Sequence, residues 1–280
     1  MDLFGPRERA GVEYWFWKFT IGDLAFLVDF IVRRSTGLAE IRVSQWLRGV
    51  GRVVHVETRE WSTTPDRVQI GGSELTAGRS LGSAEDISWD LRWTDGDVSV
   101  ALPPGILARL QPFDTTVIAW PNARFTGTVR VGSEQFQLDD LPGTFSHYWG
   151  RRLADRWVWL SATSFEGEPG RRFEAIVAIR SRLYGRLPYP IPLGFIWTTD
   201  GSHPDFVVST VNGIVRSRAT DGGFSITAQR LGGRRHHVTA TWGPTPPNDI
   251  GDGITQTMHA SLTIDGKRAV DGTVGLEARG

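Results

Sequence analysis

Apolar and polar residues alternate along much of this chain with a period of two, and short glycine-bearing turns cut the alternation into segments. In DISWDLRW, Ile87, Trp89, Leu91 and Trp93 fall on one side of an extended backbone, while Ser88, Asp90 and Arg92 fall on the other. Such a segment is a half-buried antiparallel strand. Glycine (33 residues) and proline (15) are spread along the chain and separate stretches rich in Val, Ile, Thr, Phe and Trp. Helical periodicity is nearly absent; PPGILARLQP has room for one short turn. The sequence therefore specifies an all-β protein.

Candidate hairpins follow from the turn residues. VEYWFWKF and DLAFLVDFIVRR are expected to pair across Thr20–Asp23, where Gly22 supplies the turn. FTGTVRV and EQFQL pair across Gly132-Ser133, FSITAQRL and HHVTATW across Gly232-Gly233, and RWVWLSATSF joins RFEAIVAIRSR through EGEPG. TMHASLTI and RAVDGTVGLE are expected to pair across Asp265-Gly266. The spacing gives about 16 strands, too many for one small barrel, so two stacked or side-by-side antiparallel β-barrel or sandwich domains are expected. A border near Leu138–Gly143 makes them residues 1–142 and 143–280. The Pro-rich stretch Tyr184–Gly194 reads as an extended connector or a wall over a cavity.

Several function classes are disfavoured. The 31 basic and 31 acidic residues cancel, so no broad electrostatic footprint for nucleic acid is present. There are no cysteines, hence no disulfides and no thiolate chemistry. No apolar run is long enough for a membrane helix, and the start MDLFGPRERAG lacks an apolar signal core, which together point to a cytoplasmic protein. Phosphate-loop, dinucleotide, nucleophile-elbow and zinc-protease motifs are absent. His236 and His237 are neighbours on a strand and point to opposite faces, so they do not share a metal. Neither a cofactor nor a metal is expected.

Twelve tryptophans are the unusual number. Glu13, Trp15, Trp17 and Phe19 share one strand face; Phe145, His147 and Trp149 share another; Trp157, Trp159, Ser161 and Thr163 a third. Turned inward, these faces would wall a cavity for a large apolar molecule, with Trp89 from the alternating strand among them. A carboxyl group in such a cavity has its pKa raised by desolvation and can donate a proton, while indole faces stabilise a carbocation. Glu13 is thus a candidate acid and His147 a candidate base or orienting group. Trp15, Trp17, Trp89, Trp149 and Trp159 are candidate cavity walls. Against this stand a non-catalytic carrier of hydrophobic small molecules with the same cavity, and a structural β protein with filled barrels.

Several stretches resemble one superfamily in order along the chain. VEYWFW resembles the opening of lipocalin-like carotenoid 1,2-hydratases (hydroxyneurosporene synthases) and of tocopherol cyclases. FTGTVRVGSEQFQLDDLPGTFSHYWGRR resembles their domain junction with its H-x-W-G motif, RWVWLSATSF the Trp-rich strand after it, and DGTVGLE their closing strand. The resemblance implies two consecutive lipocalin-like domains and cofactor-free chemistry on an isoprenoid; lipocalin-like Diels–Alderases share the architecture, so the fold does not fix the reaction. It carries over to Glu13, His147, Trp149 and Glu277. Ser146 stands where the hydratases have an acidic residue, which turns the expectation toward a different cyclisation, hydration or isomerisation of a terpenoid, polyene or polyketide-like molecule, or toward binding alone.

Overall fold

A computed structural model describes residues 10–94, 100–102, 115–179, 182–183, 187–188, 193–199 and 204–280. PPGILARLQP lies outside the described residues, as does most of Tyr184–Gly194. The described residues form strands and turns and no helix. The first twelve strands are β1 (Val12–Ile21), β2 (Leu24–Arg33), β3 (Leu38–Leu47), β4 (Val50–Thr58), β5 (Trp61–Thr63), β6 (Arg67–Ile70), β7 (Ser73–Thr76), β8 (Arg79–Ala84), β9 (Ile87–Thr94), β10 (Val100–Leu102), β11 (Thr115–Val131) and β12 (Glu134–Gly150). There follow β13 (Arg156–Ala162), β14 (Arg172–Ile179), β15 (Arg182–Leu183), β16 (Leu187–Pro188), β17 (Leu193–Thr199), β18 (Pro204–Ser209) and β19 (Gly213–Thr220). The last seven are β20 (Gly223–Arg230), β21 (Arg235–Thr241), β22 (Asn248–Asp249), β23 (Ile254–Thr257), β24 (Ser261–Ile264), β25 (Lys267–Arg268) and β26 (Val274–Arg279). These exceed the sixteen expected because turns too short to read from composition divide several segments.

Strands β1 to β12 make one antiparallel sheet in the order β4-β3-β2-β1-β12-β11-β9-β8-β7-β6-β5, with β10 on β11, and it curls into a nearly closed barrel. The later strands make a seven-stranded sheet, β18-β17-β14-β13-β26-β23-β22, and a five-stranded one, β19-β20-β21-β24-β25. Val158, Phe173 and Leu276 of the seven-stranded sheet share one core with Val215, Ile226 and Leu262 of the five-stranded sheet. Leu138–Gly143, where the sequence placed a border, lies inside β12.

The hairpins follow the turn chemistry. β1 pairs with β2 residue for residue from Val12↔Arg33 to Ile21↔Leu24, with Gly22 at φ 52 in the turn. β11 meets β12 across Gly132-Ser133, and β13 meets β14. One pairing differs from expectation. Ser261–Ile264 pairs with the two-residue strand Lys267–Arg268, but the closing strand β26 leaves that hairpin and pairs with β13 and β23. Its Val274 and Leu276 complete the second core, a tertiary requirement that local pairing does not reveal.

Alternation is read out in the outer strands. Ile87, Trp89, Leu91 and Trp93 of β9 are buried and their neighbours are not. β1, β2 and β3 are different: both of their faces are buried. Their inner face, with Trp15, Trp17, Phe26, Phe30 and Val43, fills the first barrel. Their outer face lies against the seven-stranded sheet, where Phe16, Ala25, Leu27 and Trp46 pack with Trp157, Trp159 and Ala178. Nearby, Ile31, Val117 and Tyr148 pack with Ile176, Phe195 and Trp197. The two β assemblies thus meet sheet face to sheet face.

The long pair β11–β12 bends at two register shifts, one of them between Phe125 and Gly127. Gly127 has φ 125, and a Cβ there would lie 2.1 Å from the Asp90 carbonyl oxygen of β9. Backbone strain and overlap act together, so Gly127→Ala is expected to cost about 2–4 kcal/mol. Urea unfolding followed by tryptophan fluorescence checks this, as a lower midpoint with an unchanged slope.

Candidate functional site

The face of β1 that carries Glu13, Trp15 and Trp17 does point into the first barrel, where these side chains are buried among other aromatic rings. Trp17 lies 5.3 Å from Phe30 and 6.1 Å from Trp93 between ring centres, and Trp93 lies 5.1 Å from Phe145. Trp15 and Trp149 sandwich the imidazole of His147 at 4.7 and 4.6 Å. Trp89 is buried in the same core, its indole N–H donating to the Ser80 hydroxyl at 2.9 Å.

Glu13 and His147 are side by side on paired strands, β1 and β12 (register Trp15↔His147, Glu13↔Trp149). The imidazole Nε2 is 3.0 Å from Glu13 Oε1, and Arg34 holds Glu13 Oε2 at 2.7 Å. Glu13 and His147 are 1% and 0% exposed. The structure brings the two together, as a hydrogen-bonded ion network inside a packed core. Of the aromatic walls expected with them, Trp15, Trp17, Trp89 and Trp149 share this core, and Trp159 does not.

Period-two geometry sends the intervening residues the other way. Tyr14, Phe16 and Lys18 face the seven-stranded sheet, and a cleft opens there between the two assemblies. Tyr14, Phe16, Asp29, Trp159, Glu174 and Glu277 are among its walls, and Ser146 lies at its side. It encloses about 450 Å³ of atom-free space counted to its open mouth, of which a water molecule can occupy about 20 Å³. One or two waters fit this arrangement of side chains; a larger guest requires Phe16 and its neighbours to rotate. Trp159 and Glu277, from the expected set, line this cleft, whereas Glu13 and His147 lie on the opposite faces of their strands.

Three carboxyl groups line an otherwise apolar cleft. Asp29 receives Arg42 Nε at 2.7 Å. Burial outweighs that pairing and raises Asp29 to about 6. Glu277 is held at both oxygens, by the Trp157 indole at 2.9 Å and by Gln256 at 2.7 Å. Glu174, 1% exposed, accepts a hydrogen bond from the Trp159 indole at Oε1. Burial pushes Glu174 well up; the Trp159 hydrogen bond, the Lys18 charge and the Ser161 hydroxyl pull it back only in part.

Lys18 closes the inner end of the cleft. Its ammonium donates to the carbonyls of Ser161 at 2.8 Å and Thr273 at 3.1 Å, both in the second assembly, and lies 5.6 Å from the Trp159 ring centre. Burial lowers its pKa, opposed by Glu174. Two residues on, Thr20 donates to the Gly272 carbonyl at 2.9 Å. Sequence reasoning missed Lys18, Asp29 and Glu174. The available signal was polarity inside runs too apolar for an exposed face: Asp29 in LAFLVDFIV, Glu174 in RFEAIVAI and Lys18 in VEYWFWKF.

Among the described residues no group of three or more His, Cys, Asp or Glu side chains is placed to hold a metal, and no helix is long and apolar enough to cross a membrane. His236 instead pairs with Asp265 at 2.8 Å and stacks on Phe206.

The architecture, two β assemblies packed face to face, is shared with several solved structures. An AttH-type protein from Nitrosomonas europaea superposes with a TM-score of 0.66 at 14% identity, covering 100% of this chain and 95% of that one. Kievitone hydratase from Nectria haematococca gives 0.64 at 12% identity over 99% and 91%, and the protein CghA 0.63 at 13% over 96% and 88%. No family model matches the chain. By sequence it is similar to an uncharacterized protein of Mycobacterium tuberculosis, from two strains, 27% identical over 136 residues. That match spans 44% of this chain and 41% of the relative.

The raised pKa of Asp29 has a consequence for stability. Between its unfolded value near 4 and its folded value of about 6 the native state keeps a proton that the unfolded chain has lost. This group's contribution is full below pH 4 and is lost as pH rises through 6. Asp29→Asn removes it, so the variant's unfolding free energy should fall less steeply with pH across that window. Denaturant titrations at several pH values check the slope, which should lessen by up to about one proton.

Proposed function

We propose that this chain is a cofactor-independent hydratase, cyclase or isomerase acting on an apolar unsaturated small molecule in the cleft between its two β assemblies, which we take as two domains. The observation that carries the reading is Glu174. Its carboxyl is buried, receives the Trp159 indole at one oxygen, lies beside the Ser161 hydroxyl and has its pKa raised by burial. Such a group is a proton donor at neutral pH.

In the step we assign to it, the Glu174 O–H bond breaks and a C–H bond forms at an alkene carbon of the guest. The π pair is consumed and a cation is left at the neighbouring carbon. The Trp159 and Trp157 rings stabilise that cation by about 0.5–2 kcal/mol each when water is excluded. Capture by a water oxygen gives hydration; capture by a second alkene of the same molecule gives cyclisation; loss of a proton gives isomerisation. A proton returns to the Glu174 carboxylate in each case, and the nearby Lys18 charge favours that carboxylate while it lasts. The name kievitone hydratase, borne by a protein of the same fold, supports hydration on this scaffold.

Glu13 and His147 take no substrate contact in this reading; they brace the first barrel. The test is turnover in deuterium oxide with a panel of prenylated phenols and polyenes, read by mass spectrometry. Wild-type protein should place deuterium on carbon. Glu174→Gln should lower the rate by about 10²–10⁴-fold, the contribution of a positioned acid. Glu13→Gln should lower the unfolding midpoint and leave the rate within about ten-fold. Activity should decline as alkali deprotonates Glu174. No deuterium incorporation by wild type, or full activity in Glu174→Gln, overturns the assignment.

A further inference from the structure

The cleft does not end at Glu277. A second pocket shares Tyr14, Trp157 and Glu277 with it and continues past Val12, Arg33 and Asp252. A third, wider groove shares Val12, Arg33, Leu153 and Asp252 with that pocket and opens to solvent, with about 420 Å³ that water can occupy. Their shared walls place the three in succession along β1, past Phe16, Tyr14 and Val12. β26 contributes Glu277 to the two inner pockets and Arg279 to the outer groove. From Phe16 to Val12 is four strand residues, about 13 Å.

The inner cleft is lined by Asp29, Glu174 and Glu277, with Arg42 of the middle pocket paired to Asp29, while at the mouth four arginines face two aspartates. Arg33, Arg151, Arg152 and Arg279 line the outer groove against Asp155 and Asp252. Glu40, outside the groove, takes part of the Arg33 charge at 2.7 Å, and Arg152 meets Asp155 at 3.4 Å. Arg279 has no carboxylate partner among the described residues. Its guanidinium lies 5.6 Å from the Trp157 ring centre and donates to the Ala154 carbonyl at 3.4 Å, which leaves most of its N–H groups for a guest. Trp157 in turn lines the two inner pockets.

We infer that the molecule taken into this cleft is amphipathic: an apolar body reaches inward to Glu174 while an oxyanion head, carboxylate or phosphate, is held at the mouth by Arg279. This rests on the cleft being the binding site and deepens that reading by naming the substrate class. Guanidinium forks match both oxyanions, and a charge-assisted pair at a half-buried mouth selects an anion over a neutral head of equal length. The head anchored about 13 Å from Phe16 fixes which carbon of the body meets the Glu174 carboxyl.

Calorimetric titration of the full-length protein with decanoate, decyl phosphate and decan-1-ol tests this without any turnover. Wild type should bind at least one of the anions about ten-fold more tightly than the alcohol, with the preference shrinking as salt is raised. Arg279→Gln should bring the anions to within about three-fold of the alcohol while leaving alcohol binding unchanged. The salt dependence of the wild-type protein stands as a second readout should that variant fold poorly. Decanoate and decyl phosphate compared with each other tell which oxyanion the mouth favours. Equal binding of acid and alcohol by wild type, a preference that survives in Arg279→Gln in folded protein, or no binding of any probe overturns the inference. Head-group preference is read from probe binding and proton transfer from deuterium incorporation, so loss of catalysis and loss of head-group recognition are separable.

Discussion

The structure depends on the burial of both faces of β1, β2 and β3. One face builds the first barrel; the other is pressed against the seven-stranded sheet of the second assembly. A strand in that position has no solvent side on which to place its polar residues. Each polar group it carries must find a partner inside or shift its ionisation. Lys18, fully buried, meets this by donating to two carbonyls across the interface, and Asp29 by pairing with Arg42. The same constraint acts on the facing sheet, where Glu174 keeps the Trp159 hydrogen bond and a raised pKa.

From this arrangement the chemistry follows in order. Sheet faces that pack with large aromatic residues leave a narrow gap where strands diverge, and the gap inherits whatever polar groups both sheets bury. Here those are carboxyl groups beside indoles. Desolvation supplies the proton affinity that a neutral-pH acid requires, and the indole N–H of Trp159 fixes which carboxyl oxygen is used. Lys18 and Thr20 fasten the two assemblies together at one end of β1, so access is from the other end, where the backbone of Gly11 and Val12 opens onto arginines. Arginines outnumber carboxylates in the outer groove, and this excess underlies the proposal of an amphipathic guest with an anionic head.

Much of the fold was legible. The alternation in DISWDLRW named a half-buried strand, and Gly22 named the turn between β1 and β2, because both signals arise within a few residues. The closing strand β26 was misread as the partner of Ser261–Ile264, since its pairing with β13 depends on residues more than a hundred positions away. For the candidate site, an acid among tryptophans was expected at Glu13, which lies in the core of the first barrel bonded to His147 and Arg34. Asp29 and Glu174 are acids that line the cleft instead, while Trp159 and Glu277 were identified and do line it.

By itself the sequence determined the antiparallel β class, several of its glycine turns and the abundance of indole, because strand periodicity and glycine conformation are local properties. Only the tertiary structure decided which face of β1 is filled and which meets a gap. On a strand buried on both sides, alternation still assigns residues to two faces, but hydrophobicity no longer says which face is the core. That choice is made by packing against a sheet formed later in the chain, and it is what separates Glu13, locked to His147 and Arg34 in the first core, from Glu174, which lines the cleft.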